Sequence, residues 1–430
     1  MRASIAFAAL WPLCSLSAAA EHDAAVVFGA QQLTPQEQKS DALDMYLSEL
    51  KRREFDYDFA KTDAESKRLR DSWIRPVTIS YTLNRQNPYN GQGAPETQQE
   101  SAVIAIDQPL FQSGGIYYGI RYAQASWEVG KLSIEQSERR LIKQAVELLM
   151  QIKKAEIGIE KQRLQVANAE INLRQKREQY ESGQLDSGFL NNAVIQLNLA
   201  KQTLIDLKTA KARLVSSFES ISDLDYRTAK IPFLALIDKS RFLRGTIDLK
   251  LAQRQREQER YNKAVTLAKY LPSINLQGSY NWQKQQGFFF VNDTPVKSDS
   301  PETAYYRYGL RASMPLDYNS GRDYEAAKVA YLKSGVVIDD TRRALRSLYE
   351  QVMRNVENFE AKIALAKENE SLYAELLSDT KEQFRAGFKT QYDVDLLANS
   401  EKIEKLNQRS YAIDRQLELL ALYEKLSAPQ

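Results

Sequence analysis

The chain has 430 residues, 27% of them charged, yet its formal net charge is only +3 at pH 7. Acidic and basic residues alternate, as in Lys51-Arg52-Arg53 followed by Glu54, which argues against a nucleic-acid surface built on bulk positive charge. A single cysteine, Cys14, and a single histidine, His22, leave no material for a disulfide framework or a His/Cys metal cluster.

The N-terminus reads as a secretory signal peptide over residues 1–20. Arg2 precedes an apolar run over 5–16, and Ser17-Ala18-Ala19-Ala20 then supplies an Ala-x-Ala cleavage site before Glu21. Leu13 stands where a lipid-attachment motif needs a small residue, so Cys14 is expected to leave with the signal, and His22 sits beside the cut. No later run of 18 apolar residues exists, so no transmembrane helix is expected. An exported chain of this kind is either soluble or inserted as strands.

Prolines then punctuate two copies of one plan. Pro76, Pro88, Pro95 and Pro109 precede a proline-free stretch that lasts to Pro232; Pro272, Pro295, Pro301 and Pro315 precede another that lasts to Pro429. Proline collects at element ends because it lacks an N–H and clashes inside a helix. The plan reads as a first repeat over 21–239, with a helix, a β-hairpin over 76–112 and a helical hairpin over 116–222. A second repeat over 240–430 has a helix, a β-hairpin over 272–317 and a helical hairpin over 321–427. Local matches agree: Gln108-Pro109-Leu110-Phe111 answers Met314-Pro315-Leu316-Asp317, and Arg177-Glu178-Gln179-Tyr180 with Gly183 answers Lys381-Glu382-Gln383-Phe384 with Gly387.

Within the hairpins, residues 77–84, 274–283 and 306–314 alternate apolar and polar side chains, while 103–106 form a weaker strand. Thr78, Ser80, Thr82, Asn275, Gln277, Ser279, Arg307 and Arg311 share the polar faces; tyrosines and Trp282 dominate the apolar ones. Strands with an apolar outer face and interfacial aromatics suit a transmembrane barrel. Four strands cannot close one, and an open edge in lipid is forbidden. Three chains sharing a 12-strand barrel, with the polar faces around water, resolve the conflict.

The proline-free stretches carry heptad seams: Leu141, Ala145, Leu148, Ile152, Ala155 and Ile159 ascend, and Leu197, Ala200, Leu204 and Leu207 return. Gln162, Lys176 and Lys211 interrupt them. Such persistence predicts coiled-coil packing. A helix over about 117–182 would reach ~100 Å, and Gly183 and Gly387 would stop the two ascending helices as C-cap glycines. The fold expected is mainly α, with long coiled-coil hairpins forming an α-barrel beneath four antiparallel strands per chain.

The signal peptide, the duplication, the Leu271-Pro272-Ser273-Ile274 entry into a strand and the Tyr/Phe-x-x-Gly tips resemble the outer-membrane efflux (TolC) family over roughly residues 40–427. The resemblance implies a homotrimeric channel-tunnel in the outer membrane of a Gram-negative bacterium, in contact with lipid and extending helices into the periplasm. It would serve as the passive exit duct of a tripartite efflux or type I secretion system, docking a periplasmic adaptor and an inner-membrane pump or ABC exporter. No enzymatic motif and no cofactor site is found, and no nucleic acid is implied. The alternative is a soluble periplasmic coiled-coil adaptor or scaffold.

In the resembled family an acidic ring constricts the periplasmic entrance. Asp393, six residues after Gly387, falls on the matching position, with Asp395 near the second; Leu396 stands where the second acid is found in the family archetype, and Phe189 is the first-repeat equivalent of Asp393. An aspartate in a first helical turn also stabilises the helix dipole, so both roles stay open. The adaptor-docking tips are expected at Glu181, Ser182, Gly183, Arg385, Ala386, Gly387 and Lys389.

Overall fold

A computed structural model describes residues 43–86, 97–291, 294–299 and 301–427; the predicted signal peptide, Cys14 and His22 lie outside them. From Tyr46 onward the chain forms one unit. In chain order it comprises helix α1 (Glu49–Arg70), strands β1 (Thr78–Gln86) and β2 (Thr97–Phe111), then helices α2 (Gly115–Glu181), α3 (Ser187–Glu219), α4 (Lys239–Gly245) and α5 (Ile247–Ala268). Strands β3 (Ser273–Val291), β4 (Thr294–Asp299) and β5 (Thr303–Ser313) follow, and then helices α6 (Ser320–Arg385) and α7 (Gln391–Lys425).

The sheet is antiparallel throughout. β1 pairs β2, β2 pairs β3, and β4 and β5 share the far side of β3 as successive pieces of one edge strand. Four strand positions result, in the order β1-β2-β3-β5. β2 is longer than the short run 103–106 suggests. Its polar first half, from Thr97, is held on both sides, with Gln99 opposite both Asn84 and Gln285. Two flanking ladders satisfy its backbone without help from apolar side chains.

Residues directly opposite across a ladder share a face. The row Ile79, Ile104, Tyr280, Tyr306 is therefore apolar, and the row Thr78, Ala105, Ser279, Arg307 beside it is mainly polar. Ile79, Tyr306, Tyr308 and Leu310 are largely exposed in a single chain. Both sheet edges, β1 and β5, lack a partner among the described residues.

Below the sheet, α2 and α6 have 67 and 66 residues. α2 packs on α3 and α7, and α7 packs on α6, so the lower layer has the order α3-α2-α7-α6. In the upper layer the order is α1-α2-α5-α6. The seam expected on α2 is present at Ala145, Ile152 and Ile159, but Ile142, Val146, Leu149 and Met150 are buried too. The extra burial arises where α2 has neighbours on several sides. The connector 220–238 passes close by, where Lys153 Nζ donates to the Arg227 carbonyl (3.2 Å) and Leu234 N donates to Gln416 Oε1 of α7 (2.8 Å). Each such apolar side chain contributes about 1.5–3 kcal/mol on burial.

Two of the polar interruptions of the seams, Gln162 and Lys211, make bonds across the helical hairpin, while Lys176 bonds Gln179 on its own helix (3.3 Å). Buried Gln162 donates to the Ala200 carbonyl (3.0 Å), and Lys211 pairs with Glu156 (2.8 Å). Gln408 on α7 repeats the first arrangement toward the Ala366 carbonyl of α6 (3.3 Å). No helix among the described residues is long and apolar enough to cross a membrane.

Candidate functional site: the helical tips and the polar sheet face

Both ascending helices end in the same motif. Gly183 and Gly387 have φ of 76° and 82°, in the left-handed region that a Cβ disfavours. In the first tip Gly183 N donates to Tyr180 O (3.0 Å) and Gln184 N to Gln179 O (2.8 Å); in the second Gly387 N donates to Phe384 O (3.0 Å) and Phe388 N to Gln383 O (2.9 Å). These are paired Schellman bonds, which satisfy the last carbonyls and turn the chain back. Glu181, Ser182, Gly183, Arg385, Ala386, Gly387 and Lys389 are all exposed there, as is Phe388.

The returning helices start differently. Asp186 caps α3, accepting from Gly188 N (3.3 Å) and Ser187 Oγ (3.0 Å). Those bonds hold its carboxyl below the usual aspartate range. α7 starts with a capping box. Thr390 Oγ1 accepts from Asp393 N (3.3 Å), while Asp393 Oδ2 accepts from Thr390 N (2.9 Å) and Thr390 Oγ1 (2.8 Å). The backbone bond from Thr390, then its hydroxyl, depress the Asp393 carboxyl. Asp393 is thus engaged by its own helix terminus. Asp395 accepts from Gln391 Nε2 (2.8 Å), one turn back. Both carboxylates sit in the first turns of α7, where the sequence places them.

A regular polar ladder joins the two hairpins along α2 and α7. Lys154 bonds Asp414 (2.6 Å), Lys161 bonds Asn407 (2.9 Å), Asn399 bonds Asn168 (2.7 Å), and Tyr392 Oη donates to Glu178 (2.6 Å). Arg174 lies 5.9 Å from the Tyr392 ring centre. Glu178 raises the Tyr392 hydroxyl pKa above its ordinary value, since ionising it would place two negative charges together. None of these pairings was visible in the sequence. The heptad spacing of Lys154, Lys161 and Asn168 was the available signal, but their partners lie more than 200 positions away.

On the sheet, Thr78, Ser80, Thr82, Asn275, Gln277, Ser279, Arg307 and Arg311 fall on one face, because the ladder aligns Thr78 with Ala105, Ser279 and Arg307, and Asn275 with Arg311. Sequence reading missed Asp107, which shares this face. Its carboxylate accepts from Asn275 Nδ2 (2.8 Å) and Gln277 Nε2 (3.2 Å). Its alternation signal was hidden in the weak second strand. A cavity of about 670 Å3 lies against this face, lined by Asp107, Gln277 and Arg307 among others. Among the described residues no cluster of His, Cys, Asp or Glu could hold a metal ion.

The family model of the outer membrane efflux protein matches residues 58–217 and 240–426, covering both halves of the chain. Solved structures agree in fold. A membrane protein from Pseudomonas aeruginosa superposes with a TM-score of 0.66 at 13% identity, over 90% of this chain and 92% of that one. The outer membrane protein VceC of Vibrio cholerae gives 0.64 at 12% identity, over 86% and 92%. The CmeC outer membrane channel of Campylobacter jejuni gives 0.64 at 13%, over 90% and 86%. No curated protein matches the sequence. The soluble-adaptor alternative is set aside, since the matched family is one of outer-membrane channels. A chain with two Schellman-tipped helical hairpins beneath an open sheet, matched in both halves, belongs to the outer membrane efflux protein family and is an outer-membrane channel component of efflux systems.

Proposed function

We propose that three copies of this chain close head to tail into one duct, and that its tips receive a periplasmic adaptor fed by an inner-membrane pump. One observation carries the reading: sheet and helices run out of partners at both lateral ends. The sheet stops at β1 and β5, and the lower helical layer stops at α3 and α6. Closing β5 of one copy onto β1 of the next removes the exposed edges that lipid does not tolerate. The same step brings α6 of one copy against α3 of the next. Exposed Ile195, Leu199 and Ile205 on α3 face the task of covering exposed Leu365, Leu372 and Leu376 on α6. The two sets lie at matching heights, since Ile195 follows the start of α3 at Ser187 by about as much as Leu376 precedes the end of α6 at Arg385.

The exposed tips, Glu181-Ser182-Gly183 and Arg385-Ala386-Gly387 with Lys389, are the adaptor-docking elements. Asp393 and Asp395, three copies of each around one axis, form the acidic periplasmic entrance. The polar ladder between α2 and α7 would let the α6–α7 hairpin swing without tearing an apolar core. The duct performs no chemistry of its own.

A cysteine pair tests the assembly cleanly, because the only cysteine of the sequence is Cys14 in the predicted signal. Ile195→Cys with Leu376→Cys should cross-link into covalent trimers in membranes. Monomers and closed intramolecular products alone would overturn the head-to-tail arrangement.

A further inference from the structure

Charge on the polar sheet face is confined to one level. Along the described strands this face carries mainly hydroxyls and amides, from Thr82, Ser101, Gln283 and Thr303 to Ser80 and Asn281, with Val103, Ala105 and Tyr305 among them. Its charged members are Asp107, Arg307 and Arg311. They occupy three successive rows near the helices: Asn275 with Arg311, Gln277 with Asp107, and Ser279 with Arg307. Successive rows on one face are about 7 Å apart. A second cavity, about 390 Å3, lies where the sheet meets α1, α2 and α5, and its lining includes Arg75 and Lys269. Arg75 lines both cavities and so stands between the two.

The balance within this zone is one-sided. Asp107 is occupied by two amides, whereas Arg75, Lys269, Arg307 and Arg311 form no ion pair among the described residues. Arg70, nearby, is different: it is neutralised by Asp71 at 2.8 Å. Cations without a carboxylate partner focus an anion-attracting field on a polar wall, and Arg307, 5.8 Å from the Tyr305 ring centre, keeps its full charge there.

We infer that these four cations form an anion-binding collar at the junction of barrel and helices, which selects for cargo carrying several carboxylate or phosphate groups. The inference rests on the trimeric duct proposed above, which repeats the collar three times around one lumen. Asp107 sets its strength by placing one carboxylate between two arginine rows.

Inorganic tripolyphosphate is the probe, added on the barrel side of purified channels in planar bilayers. Wild-type current should be blocked, and Arg307→Gln with Arg311→Gln should raise the half-blocking concentration at least several-fold. Arg307→Lys with Arg311→Lys should restore block, which separates charge from folding, and Asp107→Asn should strengthen it. Hexaamminecobalt(III) applied at the tip side should act alike on all variants, because its acidic site is elsewhere. Conducting trimers whose tripolyphosphate block ignores the glutamine substitutions would overturn the collar alone. Chains that yield neither trimers nor conductance would overturn the duct, and the collar with it.

Discussion

Tyr392 at the start of α7 donates its hydroxyl to Glu178 at the end of α2, 2.6 Å away, and so ties the tips of the two helical hairpins together. It is the lowest rung of a ladder whose upper rungs are Asn168–Asn399, Lys161–Asn407 and Lys154–Asp414. The Tyr392–Glu178 rung is exposed and the three above it are part-buried, so water can replace these bonds and the seam is easier to open than a packed apolar one.

Replacing Tyr392 with Phe should loosen this tie while keeping the ring beside Arg174. Channel openings in planar bilayers should become several-fold more frequent, with trimer yield unchanged. The bond also has a pH signature. Because the Tyr392 pKa is raised by Glu178, the neutral hydroxyl contributes to the folded tip fully below the ordinary tyrosine pKa of about 10 and is lost only as pH rises through its higher folded value. Wild-type opening should therefore rise at strongly alkaline pH more than opening of Tyr392→Phe.

Removal of the α7 cap should unravel its first turn. Thr390→Ala deletes the side-chain partner of Asp393 and should cost about 1 kcal/mol locally. Amide exchange over residues 391–394 should accelerate, with that of the α3 start unaffected. The Asp393 carboxyl is depressed, so its contribution is present above the ordinary aspartate pKa of about 3.9 and disappears as pH falls through the lower folded value. Exchange at the α7 start should then rise in acid. Asp393→Asn should raise it at neutral pH and weaken cation block in planar-bilayer recordings. Unchanged block would leave Asp393 as a cap alone.

Gly387 separates local folding from docking. A Cβ there would meet nothing within 4 Å, so the obstacle to substitution is the positive φ and not space. Asparagine tolerates that backbone, whereas valine is strained in it. If the tip docks an adaptor through bare backbone, Gly387→Asn and Gly387→Val should both abolish export while trimers reach the membrane. Export by Gly387→Asn alone would show that the glycine is needed only to end α6.

Gln162 places an amide inside an otherwise apolar seam, bonded to a helix carbonyl on α3. That carbonyl belongs to Ala200, within α3, and can satisfy itself along the helix. Gln162→Leu should stabilise the hairpin by about 1 kcal/mol, read as a higher melting temperature of purified protein. A lower melting temperature would show that the amide bond outweighs the burial gained.

Tyr270, beneath the sheet, donates to Asp323 at the start of α6, and the carboxylate pushes its pKa to about 12. The sign is that of Tyr392: the bond holds below pH of about 10 and fails as pH passes about 12. Ultraviolet titration should show equal numbers of tyrosines ionising near the ordinary range in wild type and Tyr270→Phe, with wild type alone gaining one further ionisation at about pH 12. An extra wild-type tyrosine at about pH 10 would show that the bond to Asp323 does not hold it.

Local chemistry was legible in the chain by itself. Period-two alternation placed Thr78, Ser80, Asn275 and Arg307 on polar strand faces, heptads announced the long helices, and Gly183 and Gly387 marked their ends. Each of these depends on neighbours a few residues apart, through backbone geometry alone. The contacts between the two halves depended on the fold. The pairing of Glu178 with Tyr392, the bonding of Lys154 to Asp414, and the holding of Asp107 by Asn275 and Gln277 all follow from how α7 lies along α2 and β2 along β3. Polar side chains at these positions have several possible partners in the sequence, and only the packing of one element against another brings a particular donor within reach of a particular acceptor.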